Sequence, residues 1–512
     1  MADRMALRDM NMKGVPVSER VFGPGHYLRP KFVQFMRCSN VLIQGVTLKN
    51  SPMWQLNPVL CRSVIVDGVT LFSHGYNNDG CDPESCDGVW IKNCYFDTGD
   101  DCISLKSGRD RDGREANIPC QNILIENNDF ADGHGGVALG SEMSGGIHTV
   151  LACNNRFSSP NLTYALRLKT NAKRGGAVED IMLCDSVMDC VHGAAVHGTM
   201  LYEDGRNGDT LPVFRNITVE NIQAHGGDYG VFLEAFPEVP ITGLVLRNIT
   251  IDDAEKELRS MNWQDAVVEN VTINGKKFPR PGFVRILGVP SPGCEVKASA
   301  ESCGGLRELV FTWKYEDGTV LSGESIIVEA GHGRLRVQAQ DEDGNAEGSR
   351  WYQVVEDAAT PWARLECRDM WQGGDLSQPV TRLLLARMLE PLTSGKTNKK
   401  PVDTACEAAC KAASSNFFPL EDGKFYPEKP VTRQEMATVA MQACGVNYRN
   451  ASSTMPVCKD VADVANNYGT NVARALYFGF MKLEDGYFYP KRSVTLAEAV
   501  EIISNTADFA GI

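Results

Sequence analysis

Four short phrases between Asn77 and Lys169 hold residue types that an ordinary core does not need. They are Asn77-Asn78-Asp79-Gly80, Gly99-Asp100-Asp101-Cys102, Gly133-His134-Gly135 and Arg167-Leu168-Lys169. Three acids, one imidazole and two cations thus recur at intervals of roughly one repeat unit. Buried carboxylates are costly unless paired or used. Adjacent carboxylates raise one another's pKa, so one acid can stay protonated beside an ionised partner. Glycoside hydrolysis needs that arrangement: a carboxylic acid to protonate the leaving oxygen, and carboxylates to activate water on the opposite face. Alone, an Asp-Asp pair or a histidine between glycines reads as a solvated turn. Their joint recurrence at one phase of successive repeats argues for catalysis. Lys106 and Arg109 follow the acid pair and could bind an anionic substrate or neutralise the acids. His74, His192 and His197 have no partner pattern.

The elements that must position these residues are repeats. Cys38-Ser-Asn-Val-Leu-Ile is followed by Cys61-Arg-Ser-Val-Ile-Val, Cys86-Asp-Gly-Val-Trp-Ile and Cys120-Gln-Asn-Ile-Leu-Ile. Weaker copies begin at Val178, Phe214, Ile241 and Ala266. Each reads as a short alternating strand, a Gly or Asn corner and a second short strand. Period two means one buried face, and a repeat of about 20 to 35 residues means a solenoid. The expectation is an all-β parallel β-helix over residues 31–280, with residues 1–30 as loop because of Gly14, Pro16, Gly23, Pro24, Gly25 and Pro30. Prolines at 279, 281, 290 and 292 suggest a linker over 281–305. Residues 306–358, with Asp-Gly turns between short strands, suggest a small immunoglobulin-like β-sandwich. Residues 366–512 read as mainly helical repeats. Thr432 and Thr495 are N-caps there, with Glu435 and Glu498 three residues on completing capping boxes.

The chain has 512 residues and a formal net charge of −14, which argues against nucleic acid as a partner. No run of 18 apolar residues occurs, so no transmembrane segment is expected, and the start lacks the apolar core of a signal peptide. The 17 cysteines read mostly as small hydrophobes within strands. No Cys pairs have zinc-like spacing, and neither a metal nor a cofactor is expected. Five Asn-x-Ser/Thr triplets occur, at Asn161, Asn216, Asn248, Asn270 and Asn450; three of them read as corner asparagines entering a strand.

Together the four phrases resemble glycoside hydrolase family 28, the polygalacturonases, over about residues 20 to 280. That pattern is Asn-Thr-Asp, Gly/Gln-Asp-Asp, Gly-His-Gly and Arg-Ile-Lys, in order on a right-handed β-helix. Asn78 and Leu168 depart from it at positions without a chemical role. The resemblance implies inverting hydrolysis of α-1,4-galacturonide bonds in pectin. In this role assignment Asp100 is the general acid, Asp79 and Asp101 activate water, and His134 tunes the acid. Arg167 and Lys169 then grip the galacturonate carboxylate, with Lys106 and Arg109 as further substrate-binding residues. The resemblance also implies several coils and a capping helix ahead of Met1. The expectation is therefore an N-terminally truncated solenoid, poorly soluble or oligomeric through its first coil.

Residues 366–510 resemble surface-layer homology (SLH) repeats through Phe-x-Pro turns followed by Val-Thr-Arg. Such modules usually act in threes and bind anionic cell-wall polymers; here Arg382 and Arg433 are kept, while Leu496 replaces the third arginine. The implied partners are pectic polysaccharide and a bacterial secondary cell-wall polymer, at an extracellular, surface-attached location, with the signal peptide lost with the truncated start. Alternatives are rhamnogalacturonan hydrolysis, or a non-catalytic wall-bound glycan-binding protein. A lyase would use calcium and a basic Arg or Lys, without needing these acids.

Overall fold

A computed structural model describes residues 2–305, 307–393, 395–445 and 456–511. It divides into two compact units, Met1–Pro279 with Cys303–Leu306, and Arg280–Ser302 with Arg307–Ile512. The first unit is built almost wholly of parallel ladders, as a β-helix is. The repeat seen in the sequence is its register. Val41 pairs with Val64, Val64 with Val89, Val89 with Ile123 and Ile123 with Val150. The same line continues through Ile181, Ile217 and Leu244. From Val64 onward every residue of that line is at most 3% exposed. Burying each such side chain fully is worth about 1.5–3 kcal/mol, and a one-residue slip would turn the whole line outward. Phe96, Phe130 and Phe157 stack in a second line, with ring centroids 5.1 and 4.6 Å apart.

Corners are made by residues that tolerate left-handed backbone. Asn216, Asn248 and Asn270 have φ of 54°, 51° and 51°. Their amides bond neighbouring coils: Asn270 to Asn248 Oδ1, Asn248 to Asn221 Oδ1 and Asn216 to Asp180 Oδ1. This is the turn role read from the sequence. Asn450 lies outside the described residues. Ten of the 17 cysteines are buried, as small hydrophobes within strands would be.

A separate parallel ladder carries Arg167 and Lys169 and has Asp101, Lys106 and His134 near its strand ends. It runs through the strands Ile103–Leu105, Gly135–Gly140, Tyr164–Lys169 and Ala194–Thr199 and continues beyond. Residues 1–30 differ from the expected loop: Ala2–Met12 is an α-helix. The breakers that suggested loop, from Gly14 to Pro30, all lie beyond Met12, so nothing in the first twelve residues opposes a helix. The first coil leaves Val33, Phe35, Val41 and Ile43 half-buried.

The second unit corrects one boundary. Residues 281–305, expected as a linker, contain most of the strands Arg280–Leu287 and Glu295–Cys303. These join Ser325–Ile327 in one sheet, while Leu309–Tyr315 and Leu335–Asp341 pair antiparallel in another. Val284, Ile286, Val296, Trp313, Tyr315 and Val337 share one core. The prolines flank these strands or sit at their starts, where a missing N–H is tolerated.

In the C-terminal repeats, three Val-Thr segments close a ring of backbone bonds. Val380 N donates to Val494 O, Val494 N to Val431 O, and Val431 N to Val380 O. Thr432 and Thr495 form complete capping boxes with Glu435 and Glu498, and Thr381 caps Arg382–Met388. Arg382 and Arg433 are buried. Each donates to the carbonyl of a Phe in the next repeat's turn, Phe425 and Phe488 respectively.

Candidate active site

Backbone bonds between coils bring the four phrases together. Gly80 N donates to Asp101 O, Cys102 N to Gly135 O, His134 N to Asp100 O and Tyr164 N to His134 O. Asp79, Asp100 and Asp101 each place a carboxylate oxygen within 4.8 Å of the others. Along Tyr164–Lys169 the side chains alternate. Leu166 and Leu168 enter the core, and Arg167 and Lys169 share the opposite face, where both reach Asp101. Gly135 makes room for that pairing: a Cβ there would stand 3.0 Å from both Asp101 Oδ1 and Arg167 Cδ.

The three acids are held in different charge states. Asp101 is fully buried, yet Lys169 and Arg167 outweigh that burial and hold its pKa below the ordinary aspartate range. Arg167 Nη1 lies 2.9 Å from Asp101 Oδ1, and Lys169 Nζ bonds Oδ2. At Asp100 burial is likewise overcome, first by His134 and then by Lys169 and Arg167, and the pKa is lowered. His134 Nδ1 lies 3.1 Å from Asp100 Oδ1, and the Asp101 N–H donates to the same oxygen at 3.0 Å. Asp79 goes the other way. Burial, then the charges of Asp82 and Asp100, push it well above the ordinary range.

One cleft of about 370 Å³ receives Asp79, Asp100, Lys106, Arg109 and Lys169. Asp101, Arg167 and His134 are not among its lining residues; the first two stand buried behind the lining, and His134 is in contact with Asp100. Lys106 is only 3% exposed. Its ammonium lies 3.3 Å from Asp82, 3.4 Å from Glu142 and 3.7 Å from Asp79. Arg109 reaches Glu142 at 3.0 Å and Glu203 at 2.7 Å. In this structure both therefore neutralise acids while lining the cleft.

Sequence reasoning did not single out Asp82, Glu142, Glu203 or Trp54. Asp82 follows Asp79 by three residues, two beyond the end of the first phrase, so a signal was present. Burial pushes its pKa up to about 7, against the opposing pull of Lys106 and Lys31. The three clustered carboxylates could in principle hold a cation. Both Asp101 oxygens already carry cationic partners, which disfavours one there.

Comparison with known proteins shows which families these two regions of the chain resemble. Residues 25–275 match the family model described as glycosyl hydrolases family 28. Residues 400–437 and 459–500 match the S-layer homology domain. The chain thus joins a family 28 region to S-layer homology repeats. It is 32% identical over 255 residues to a probable polygalacturonase of Vitis vinifera, covering 48% of this chain and 51% of that protein. It is 28% identical over 280 residues to an exo-poly-alpha-D-galacturonosidase of Dickeya chrysanthemi, covering 48% and 46%. Among solved structures, a hyperthermoactive exopolygalacturonase from Thermotoga maritima aligns with TM-score 0.51 and 43% identity, over 54% of this chain and 62% of that one. The chain spans about half the length of the curated relatives it matches.

Proposed function

We propose that this chain hydrolyses α-1,4-galacturonide bonds of pectic polymers in the cleft beside Asp100, and is held at the cell surface by its C-terminal repeats. The observation that carries the reading is the convergence of Asp79, Asp100 and Asp101 within 4.8 Å, in a region that matches family 28. Asp79 lines the cleft and orients the attacking water, and Asp101 behind it, held ionised by Arg167 and Lys169, serves as base once Lys169 turns from it to the substrate. Asp100 is the acid. In the free chain its surroundings favour the carboxylate, so it needs a reason to take up a proton. An incoming uronate carboxylate supplies one: it offsets the charge of Lys169 and excludes water, and both changes raise the pKa of Asp100. Arg167, behind Asp101, acts by holding that base, while Lys169 faces the cleft and reaches the substrate carboxylate.

Two of the similar proteins are named as exo-acting, which supports attack at chain ends. The stereochemical course is drawn from family resemblance alone. Proton NMR of the first-formed anomer decides it. For the surface attachment, the matched S-layer homology repeats are the support. No described helix is long and apolar enough to cross a membrane.

The test is reducing-end release from polygalacturonate with ultraviolet absorbance followed in parallel. Reducing ends without an unsaturated product are expected. Absorbing product would make the protein a lyase, and release of neither would leave it a binding protein.

A further inference from the structure

The cleft lining includes more cations than the reaction described above employs, and they differ in their partners. Arg8, Arg20, Lys106, Arg109 and Lys169 each pair with at least one carboxylate. Arg4 and Lys31 also line the cleft. Among the described residues neither has a carboxylate within the 4.0 Å of an ion pair. Lys31 instead sits over the indole of Trp54, its ammonium 3.3 Å from the ring centroid and 3.5 Å from Met53 Sδ. A ring face and a thioether hold a cation without neutralising it. Arg4 comes from the helix Ala2–Met12, whose Asn11 anchors it to the coils by donating to Arg109 O at 3.0 Å.

We propose that Lys31 and Arg4 form a second carboxylate-binding subsite, which takes a uronate unit adjacent to the one at the acids. This rests on the reading of the cleft as a galacturonide site and deepens it. A paired cation must give up its partner to bind substrate, whereas Lys31 and Arg4 gain a counter-ion when a carboxylate arrives. Burial pushes the Lys31 ammonium below the usual lysine range, and a carboxylate ligand reverses that effect. Trp54 is only 9% exposed and its face is occupied by Lys31, so it serves as the seat of the cation and not as a platform for the sugar.

The full chain carrying Asp100→Asn, titrated calorimetrically with trigalacturonate and with its fully methyl-esterified form, tests the subsite. Lys31→Met in that background is expected to weaken trigalacturonate binding about tenfold, as loss of a hydrogen bond to a charged group does. Binding of the ester is expected to be unchanged. Lys31→Arg should restore most of the affinity, and Arg4→Gln, on a half-exposed residue, should show a smaller loss with the same substrate preference. Equal trigalacturonate affinity with and without Lys31, or equal losses on acid and ester, overturns the subsite. With the catalytic Asp100 retained, unchanged KM for Lys31→Met alongside normal hydrolysis overturns the subsite alone. A chain that neither hydrolyses polygalacturonate nor binds trigalacturonate overturns the proposed function as well.

Discussion

Lys106 in the β-helix unit and Arg433 in the C-terminal repeats are both nearly buried beside acids, at 3% and 4% exposure. Lys106 faces three carboxylates, those of Asp79, Asp82 and Glu142, and accordingly its pKa rises well above the ordinary range despite burial. Arg433 spends two donors on backbone carbonyls, Phe488 O at 2.6 Å and Lys482 O at 2.7 Å, and a third on Glu498 at 3.1 Å. In the first region burial drives Asp79 and Asp82 toward holding a proton, and at Asp79 the charges of Asp82 and Asp100 add to it. In the second a cation is matched to two backbone carbonyls, which do not titrate, and to Glu498, whose pKa is lowered. A buried cation among surplus acids marks chemistry, and one that ties a turn to a helix marks structure.

The contrast breaks most sharply at Asp100 and Arg433. Asp100→Asn should lower turnover by roughly two to four orders of magnitude, as loss of a general acid does, with little change in melting temperature. Retention of more than about a tenth of the activity would remove Asp100 from that role. Arg433→Met should do the reverse. It strips a buried donor from two carbonyls, at a cost of about 1–3 kcal/mol each, while Glu498 keeps Arg492 as a partner. Polygalacturonate turnover should be unchanged below the new melting point; denaturation by urea and assay of the same sample check both halves. Loss of wall binding by Arg433→Met without loss of stability would instead make Arg433 a ligand for the polymer.

The smallest effect sharpens the first region. Asp82 has a folded-state pKa raised to about 7, so the folded chain holds a proton that the unfolded chain releases near pH 4. The stability this lends is full below the unfolded value and is lost as pH rises through about 7. Asp82→Asn should therefore raise the melting temperature more at pH 8 than at pH 4. A difference that is flat across this range would show that Lys106 keeps Asp82 ionised throughout.

The amino-acid sequence by itself determined what local period and spacing control. The Cys-x-x-Val repeat became the ladder register through Val64, Val89 and Ile123, because a period-two strand has only one register that buries its apolar line. The capping boxes at Thr432 and Thr495 formed as read, because a cap involves residues three apart. Asp79, Asp100, Asp101 and Lys169 came together because solenoid coils stack one upon another and keep phase. Tertiary structure alone decided which charges meet. Arg167 and Lys169 close on Asp101 from more than sixty residues away, and the helix Ala2–Met12, read as loop, supplies Arg4 to the cleft wall. Charge pairing and cleft shape depend on distances between remote side chains. Such distances carry no period along the chain, and they exist only once the coils have stacked.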